Sequence, residues 1–298
     1  MRIPSLAAML AAAWLMPAVA MAVPPAAASA SSNDRFTVRV EGQGPDVILV
    51  PGLASGPSVW KATVDQLKAT RRVHVLHVSG FDGAPAGANA KGEVARPLAE
   101  QLARYIATQK LKAPAVIGHS FGGTLALMLA ARHPASVGRV MVVDASPFYS
   151  LLLDPAATAD GMKPRAAGFR DIMLNAPAAQ VQAMQTATIA RLVKTASARP
   201  AVVAAAGSSD RSVVAQATYD IMTTDLRPEL TRIRAPLTVV YAYDPVYGIP
   251  APKVDENFRA VYAGVPSARF VRIDDSYHFV MIDQPAPFAK AITTFLAN

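Results

Sequence analysis

The chain has 298 residues, 52% hydrophobic and 17% charged, with no cysteine and a formal net charge of +8. That length and apolar content suit one large α/β domain with an insertion, or two ordinary domains, and exclude a disordered chain. The lack of cysteine excludes a disulfide framework and thiol chemistry. The basic residues are spread out, with Arg71-Arg72 as the densest pair and no basic run interleaved with aromatics, which argues against nucleic-acid binding.

Taken in chain order, Arg2 precedes an alanine- and leucine-rich apolar run from Leu6 to Met16. Ala18-Val19-Ala20 and Ala20-Met21-Ala22 then both fit small-x-small cleavage. This pattern predicts a signal peptide over residues 1–22, removed after Ala20 or Ala22, and a periplasmic or secreted protein. The run is too short for a stable membrane span. Residues 23–34 are rich in Pro, Ala and Ser and predict a flexible linker, leaving residues 35–298 to fold.

From Phe36 the pattern alternates. Strands are expected at Phe36–Val40 and Val47–Val50, joined by a turn-rich Glu41-Gly42-Gln43-Gly44-Pro45, then at Val73–Val78, Pro114–Ile117 and Val140–Val143. Helices are expected at Ser58–Leu67, Arg96–Gln109 and Gly123–Arg132. Fully apolar strands separated by helices predict a mostly parallel sheet with helices on both faces. The rhythm breaks after Pro147. From about 148 to 234 there are helix-like segments, prolines and scattered methionines, which predict a helical cap inserted between two strands. Strands return at Leu237–Ala242 and Arg269–Ile273, with helices at Val254–Tyr262 and Pro287–Leu296.

The chemistry centres on Gly118-His119-Ser120-Phe121-Gly122, a G-x-S-x-G placed between an apolar strand and an apolar helix. A sharp strand-to-helix turn would lift the Ser120 hydroxyl clear of the sheet, and only small neighbours let the backbone bend that tightly. A serine hydroxyl needs a base that can later return the proton. Among five histidines, His278 stands in a loop at the C-terminal end of a strand, where loops converge beside the serine. His119 adjoins the serine, but its side chain is expected to point elsewhere. A carboxylate must hold the imidazole in the right tautomer. Asp244 and Asp144 both follow strands, and Ser120, Asp244 and His278 stand in the Ser–Asp–His chain order; Asp244 is favoured because Pro245 ends its strand and directs the chain into a loop. No histidine and carboxylate spacing suggests a metal site.

These residues resemble those of the α/β-hydrolase-fold serine hydrolases of the capped, single-chain type. The resemblance runs from Phe36 to Phe295 and rests on Pro51-Gly52-Leu53, on residues 118–123, on Asp244, and on His278 followed by Phe279, Asp283, Gln284 and Pro285. It implies an oxyanion hole formed by the backbone N–H groups of Leu53 and Phe121. It also implies a triad of Ser120, Asp244 and His278 needing neither metal nor organic cofactor. Many relatives have His-Gly where this chain has Pro51-Gly52. The expected activity is hydrolysis of an ester-type bond in a small, apolar acyl substrate through an acyl-enzyme. Carbon–carbon hydrolysis and cofactor-free perhydrolase chemistry fit the same triad, and a non-catalytic binding protein on the same fold is the reading from a different class. Oligomeric state is not legible.

Overall fold

Strands whose residues are apolar on both sides have to be covered on both sides, and that requirement shapes the molecule. The computed structural model describes residues 35–297; the expected leader and linker, residues 1–34, lie outside them. Seven strands form one sheet: β1 (Phe36–Glu41), β2 (Asp46–Val50), β3 (Arg72–Val78), β4 (Ala115–His119), β5 (Arg139–Val143), β6 (Leu237–Tyr243) and β7 (Arg269–Asp274). Their order is β1-β3-β2-β4-β5-β6-β7, parallel throughout except that β1 runs antiparallel to β3. The two strands flanking the first turn therefore do not pair with each other. β3 lies between them, and an Arg72–Asp46 ion pair of 2.5 Å joins the starts of β2 and β3.

Side chains alternate across the sheet and divide the core in two. Val47 and Leu49 of β2 join a cluster with Trp60, Val64 of α1 (Lys61–Leu67) and Phe288. Ile48 and Val50 face the other way, toward Leu98 of α2 (Ala95–Thr108) and Leu125 of α3 (Phe121–Arg132). α3 is buried along nearly its whole length, as a helix apolar on all sides must be.

Between β5 and β6 the chain forms α4 (Ala159–Asn175), α5 (Ala178–Leu192), α6 (Arg199–Gly207) and α7 (Arg211–Thr223), with short 3-10 turns before α4, between α5 and α6 and after α7; among the described residues no strand lies in this stretch. Thr158 caps α4 and Asp210 caps α7 through their side-chain oxygens. After β6 come α8 (Ala251–Val261), then β7, α9 (Val280–Asp283) and α10 (Pro285–Ala297).

One buried carboxylate ties this insertion to the rest of the domain. Asp220 of α7 accepts the backbone N–H groups of Val94 (2.7 Å) and Ala95 (2.9 Å), so it caps the start of α2 from more than a hundred residues away. Burial pushes its carboxyl above the usual range, and the two N–H donors with Gln216 offset that in part. Replacing Asp220 by alanine would leave both N–H groups buried without partners, for an expected loss of about 2 kcal/mol in urea unfolding. A loss below about 0.5 kcal/mol, the scale of an ordinary surface change, would contradict this role.

Candidate active site

The turn between β4 and α3 is built by what its neighbours lack. A Cβ on Gly118 would stand 2.1 Å from the Gly122 carbonyl oxygen, and one on Gly122 would stand 2.3 Å from the Val50 carbonyl oxygen. Only glycine fits at either position. Between them Ser120 takes φ 52 and ψ −118, a backbone conformation that L-residues other than glycine rarely adopt. Its N–H donates to the Val143 carbonyl (2.9 Å) and its carbonyl accepts from Thr124 (3.1 Å), so the strained residue is anchored on both sides.

The loop after β2 lies against this turn: a Cβ on Gly52 would come within 3.3 Å of the Ser120 Cβ. Leu53 follows directly, and Phe121 is the first residue of α3, where backbone N–H groups have no partner inside the helix. The two N–H groups expected to form an oxyanion hole thus belong to segments in contact with each other beside Ser120.

The carboxylate that meets His278 is Asp144. Its Oδ2 lies 2.7 Å from His278 Nδ1, while Oδ1 accepts the N–H of Ala242 at 2.9 Å. Because β4 and β5 pair with His119 opposite Val143, Ser120 and Asp144 leave adjacent strand ends side by side. Asp144 has φ 47, a left-handed turn that aspartate tolerates better than most residues. A carboxylate acceptor at Nδ1 leaves Nε2 as the basic nitrogen of the neutral imidazole.

Asp244, the carboxylate favoured from the sequence, is held elsewhere. It is buried, its Oδ2 meets Lys194 Nζ at 2.6 Å, and its Oδ1 accepts the Val246 N–H at 2.9 Å. The Lys194 ammonium, then the Val246 N–H, hold its carboxyl below the usual range. Asp244 therefore does two jobs, neither of them at His278: it caps the 3-10 turn Pro245–Tyr247 and anchors a lysine of the helical insertion. The sequence contained a signal for the first. An aspartate followed by proline at the first helical position is a helix-start pattern, and Asp244-Pro245 fits it.

Lys194 reaches Asp275 as well, in the loop that carries His278, and both partners push its ammonium higher. Asp283 completes the attachment: it accepts the N–H groups of Lys194 (3.0 Å), Thr195 (2.9 Å) and Tyr277 (3.0 Å). The residue before His278 and the end of the insertion's second helix thus share one carboxylate.

His119 does not point away from the site. Fully buried, its ring lies 4.6 Å, centroid to centroid, from that of His278 and 4.8 Å from that of Phe279. Its Nε2 is 3.0 Å from the His278 carbonyl oxygen. A carbonyl only accepts, so Nε2 carries the proton and Nδ1 is an acceptor, buried with no partner. Burial foremost, and then the nearby His278, drive its pKa well below the ordinary histidine value, keeping it neutral. The other histidines are structural: His74 between Tyr105 and Asp46, His77 on the Phe81 carbonyl, His133 on Glu100. Among the described residues no three His, Cys, Asp or Glu side chains are grouped so as to hold a metal ion.

Comparison with known proteins agrees with this architecture. The α/β hydrolase fold family profile matches residues 45–285. A pimeloyl-[acyl-carrier protein] methyl ester esterase from Aeromonas hydrophila subsp. hydrophila is 28% identical over 275 residues, covering 88% of this chain and all of that protein. An esterase of the same name from Vibrio atlanticus is 32% identical over a shorter stretch, 41% of this chain and 45% of its own length. The crystal structure of the enol-lactonase from Burkholderia xenovorans LB400 superposes with a TM-score of 0.71 at 21% identity, over 88% of this chain and 96% of that one, a likeness of fold. With more than three quarters of its length matched by the family profile, the chain belongs to the α/β-hydrolase-fold family and is a hydrolase of that family.

Proposed function

We propose that the protein is an exported serine hydrolase that cleaves an ester of an apolar acyl group, with Ser120 as nucleophile, His278 as base and Asp144 as the acid that orients it. The observation that carries this reading is the 2.7 Å pairing of Asp144 with His278 Nδ1 at the strand edge where the strained Ser120 is held. Export rests on the leader pattern of residues 1–22. The acyl preference draws support from the loops after β5 and β6, which leave that same edge and expose Leu152, Leu153, Val246 and Ile249. It also draws on relatives named as methyl ester esterases.

In the reaction, Ser120 Oγ attacks the ester carbonyl carbon while its proton passes to His278 Nε2. The carbonyl oxygen takes the negative charge and is met by the N–H groups of Leu53 and Phe121. When the intermediate collapses, the carbon–oxygen bond to the alcohol breaks and Nε2 returns the proton to it. Water then attacks the acyl-serine, again giving a proton to Nε2, and the acid leaves as Ser120 recovers its hydrogen. Throughout, Asp144 stabilises the imidazolium and keeps Nδ1–H fixed.

A fluorophosphonate probe should label the wild type and fail to label Ser120→Ala. Labelling of neither protein would indicate a fold kept for binding rather than catalysis. Asp144→Asn should lower ester turnover by about a thousandfold or more, because the imidazole then presents the wrong tautomer. Asp244→Asn should leave most turnover and act mainly on stability; the opposite ranking in folded proteins would overturn the assignment.

The buried His119 adds a pH prediction. An unfolded histidine takes up a proton as the pH falls below about 6.5, whereas folded His119 stays neutral, so the unfolded state binds more protons. Stability should therefore fall with pH below about 6.5, by up to about 1.4 kcal/mol per pH unit for this one group. His119→Gln keeps an N–H donor for the His278 carbonyl and has no charge to gain. It should flatten that slope in urea unfolding between pH 6.5 and 5; an unchanged slope would contradict the argument.

A further inference from the structure

The edge of the sheet opposite Ser120 carries a second cleft. Arg139 opens β5, Leu237 opens β6 and Arg269 opens β7, and because these strands are parallel their starts share one edge. Between them and α10 lies a cleft of about 480 Å³. Arg139, Arg234, Arg269 and Lys290 all line it, and no acidic residue does. Apolar surface lies among them, from the exposed Pro236 and Pro287 and the half-buried Val271.

Several arginines elsewhere meet carboxylates, while others, such as Arg199 and Arg211, are held by backbone carbonyls. Arg132 pairs with Glu229, Arg227 with Asp225, and Arg272 with Asp255 and Asp274. Among the described residues no such pair involves any of the four cations of the cleft. Arg139 is steadied by donating to the Phe295 carbonyl (2.7 Å) and lying over that ring; Arg234, Arg269 and Lys290 extend into solvent. Four like charges around one cleft, with no acidic residue lining it, create a positive potential that favours an anion. The apolar surface favours a ligand that brings an alkyl chain with its charge.

We propose that this cleft binds a small anionic amphiphile, an acid headgroup carried on a short alkyl chain. The headgroup meets Arg234, Arg269 and Lys290, whose guanidinium and ammonium groups suit a phosphate or carboxylate, and the chain lies on Pro236, Val271 and Pro287. A monomeric amphiphile fits better than a bilayer, because a cleft of about 480 Å³ between the strand starts and α10 takes a single short chain. The inference does not depend on the proposed activity, since it concerns the opposite edge of the sheet.

The test is calorimetric titration of the full protein with octyl phosphate, kept below its micelle-forming concentration. The variant is Arg234→Gln/Arg269→Gln/Lys290→Gln, three exposed positions whose loss leaves the core intact. We expect saturable binding at one site, weakened at least tenfold in the variant and also weakened by added salt, with ester turnover unchanged. Inorganic phosphate alone and octanol alone should each bind the wild type at least tenfold more weakly than octyl phosphate. Equal binding by variant and wild type, or binding indifferent to salt, would overturn the proposal by placing the ligand elsewhere, such as the apolar mouth beside Ser120. Inorganic phosphate as tight as octyl phosphate would overturn it in favour of a simple anion site. Binding to anionic vesicles without binding of monomeric octyl phosphate would overturn it in favour of a membrane contact. The salt series needs only the wild type, so the proposal can fail even if the variant does not fold.

Discussion

The Asp144 carboxylate is gripped from two sides. One oxygen takes the N–H of Ala242 on the neighbouring strand, and the other faces His278 across the edge of the sheet. The first contact keeps the side chain from rotating, so the second can define where the imidazole stands. Both depend on strand register. β4, β5 and β6 must be parallel and aligned for the residue after Val143 to reach Ala242 while the residue after His119 turns out as Ser120. Two residues at positive φ, Ser120 and Asp144, stand at adjacent strand ends, and buried strands on both sides hold that strain in place.

Much of this architecture was legible because burial writes itself into composition. Short valine- and isoleucine-bearing apolar runs such as Ala115-Val116-Ile117 and Val140-Met141-Val142-Val143 read as strands covered on two faces, and the glycines around Ser120 announce a turn that no larger residue permits. Pairing was harder to read. β1 and β2 are consecutive, yet β3 comes between them, because which strands pair is decided by contacts far apart in sequence.

The choice between Asp144 and Asp244 turned on a residue that nothing near either one reveals. Both carboxylates follow apolar strands that prove to be neighbours, so position could not separate them. What separates them is Lys194, in the helical insertion, which occupies one oxygen of Asp244 while the Val246 N–H occupies the other. The pair is uneven: removing Lys194 leaves the buried Asp244 carboxylate without its cation, whereas Lys194 itself is partly exposed and also meets Asp275. The pair also gives Asp244 a purpose of its own, for with Asp275 and Asp283 it fastens the insertion to the loop that presents His278. His119 was hidden for a related reason. Its neighbour's sharp turn suggested a ring directed away, whereas the turn lays that ring beneath His278 and lends an N–H to its backbone.

The site stands on the bond between Asp144 and the Nδ1–H of His278, and proton NMR can observe it directly. A histidine N–H donated to a carboxylate should give a resonance far downfield of the amide region in the wild type. This signal should be lost in a folded Asp144→Asn protein and kept in Asp244→Asn. A signal that survives Asp144→Asn and disappears in Asp244→Asn would contradict that pairing.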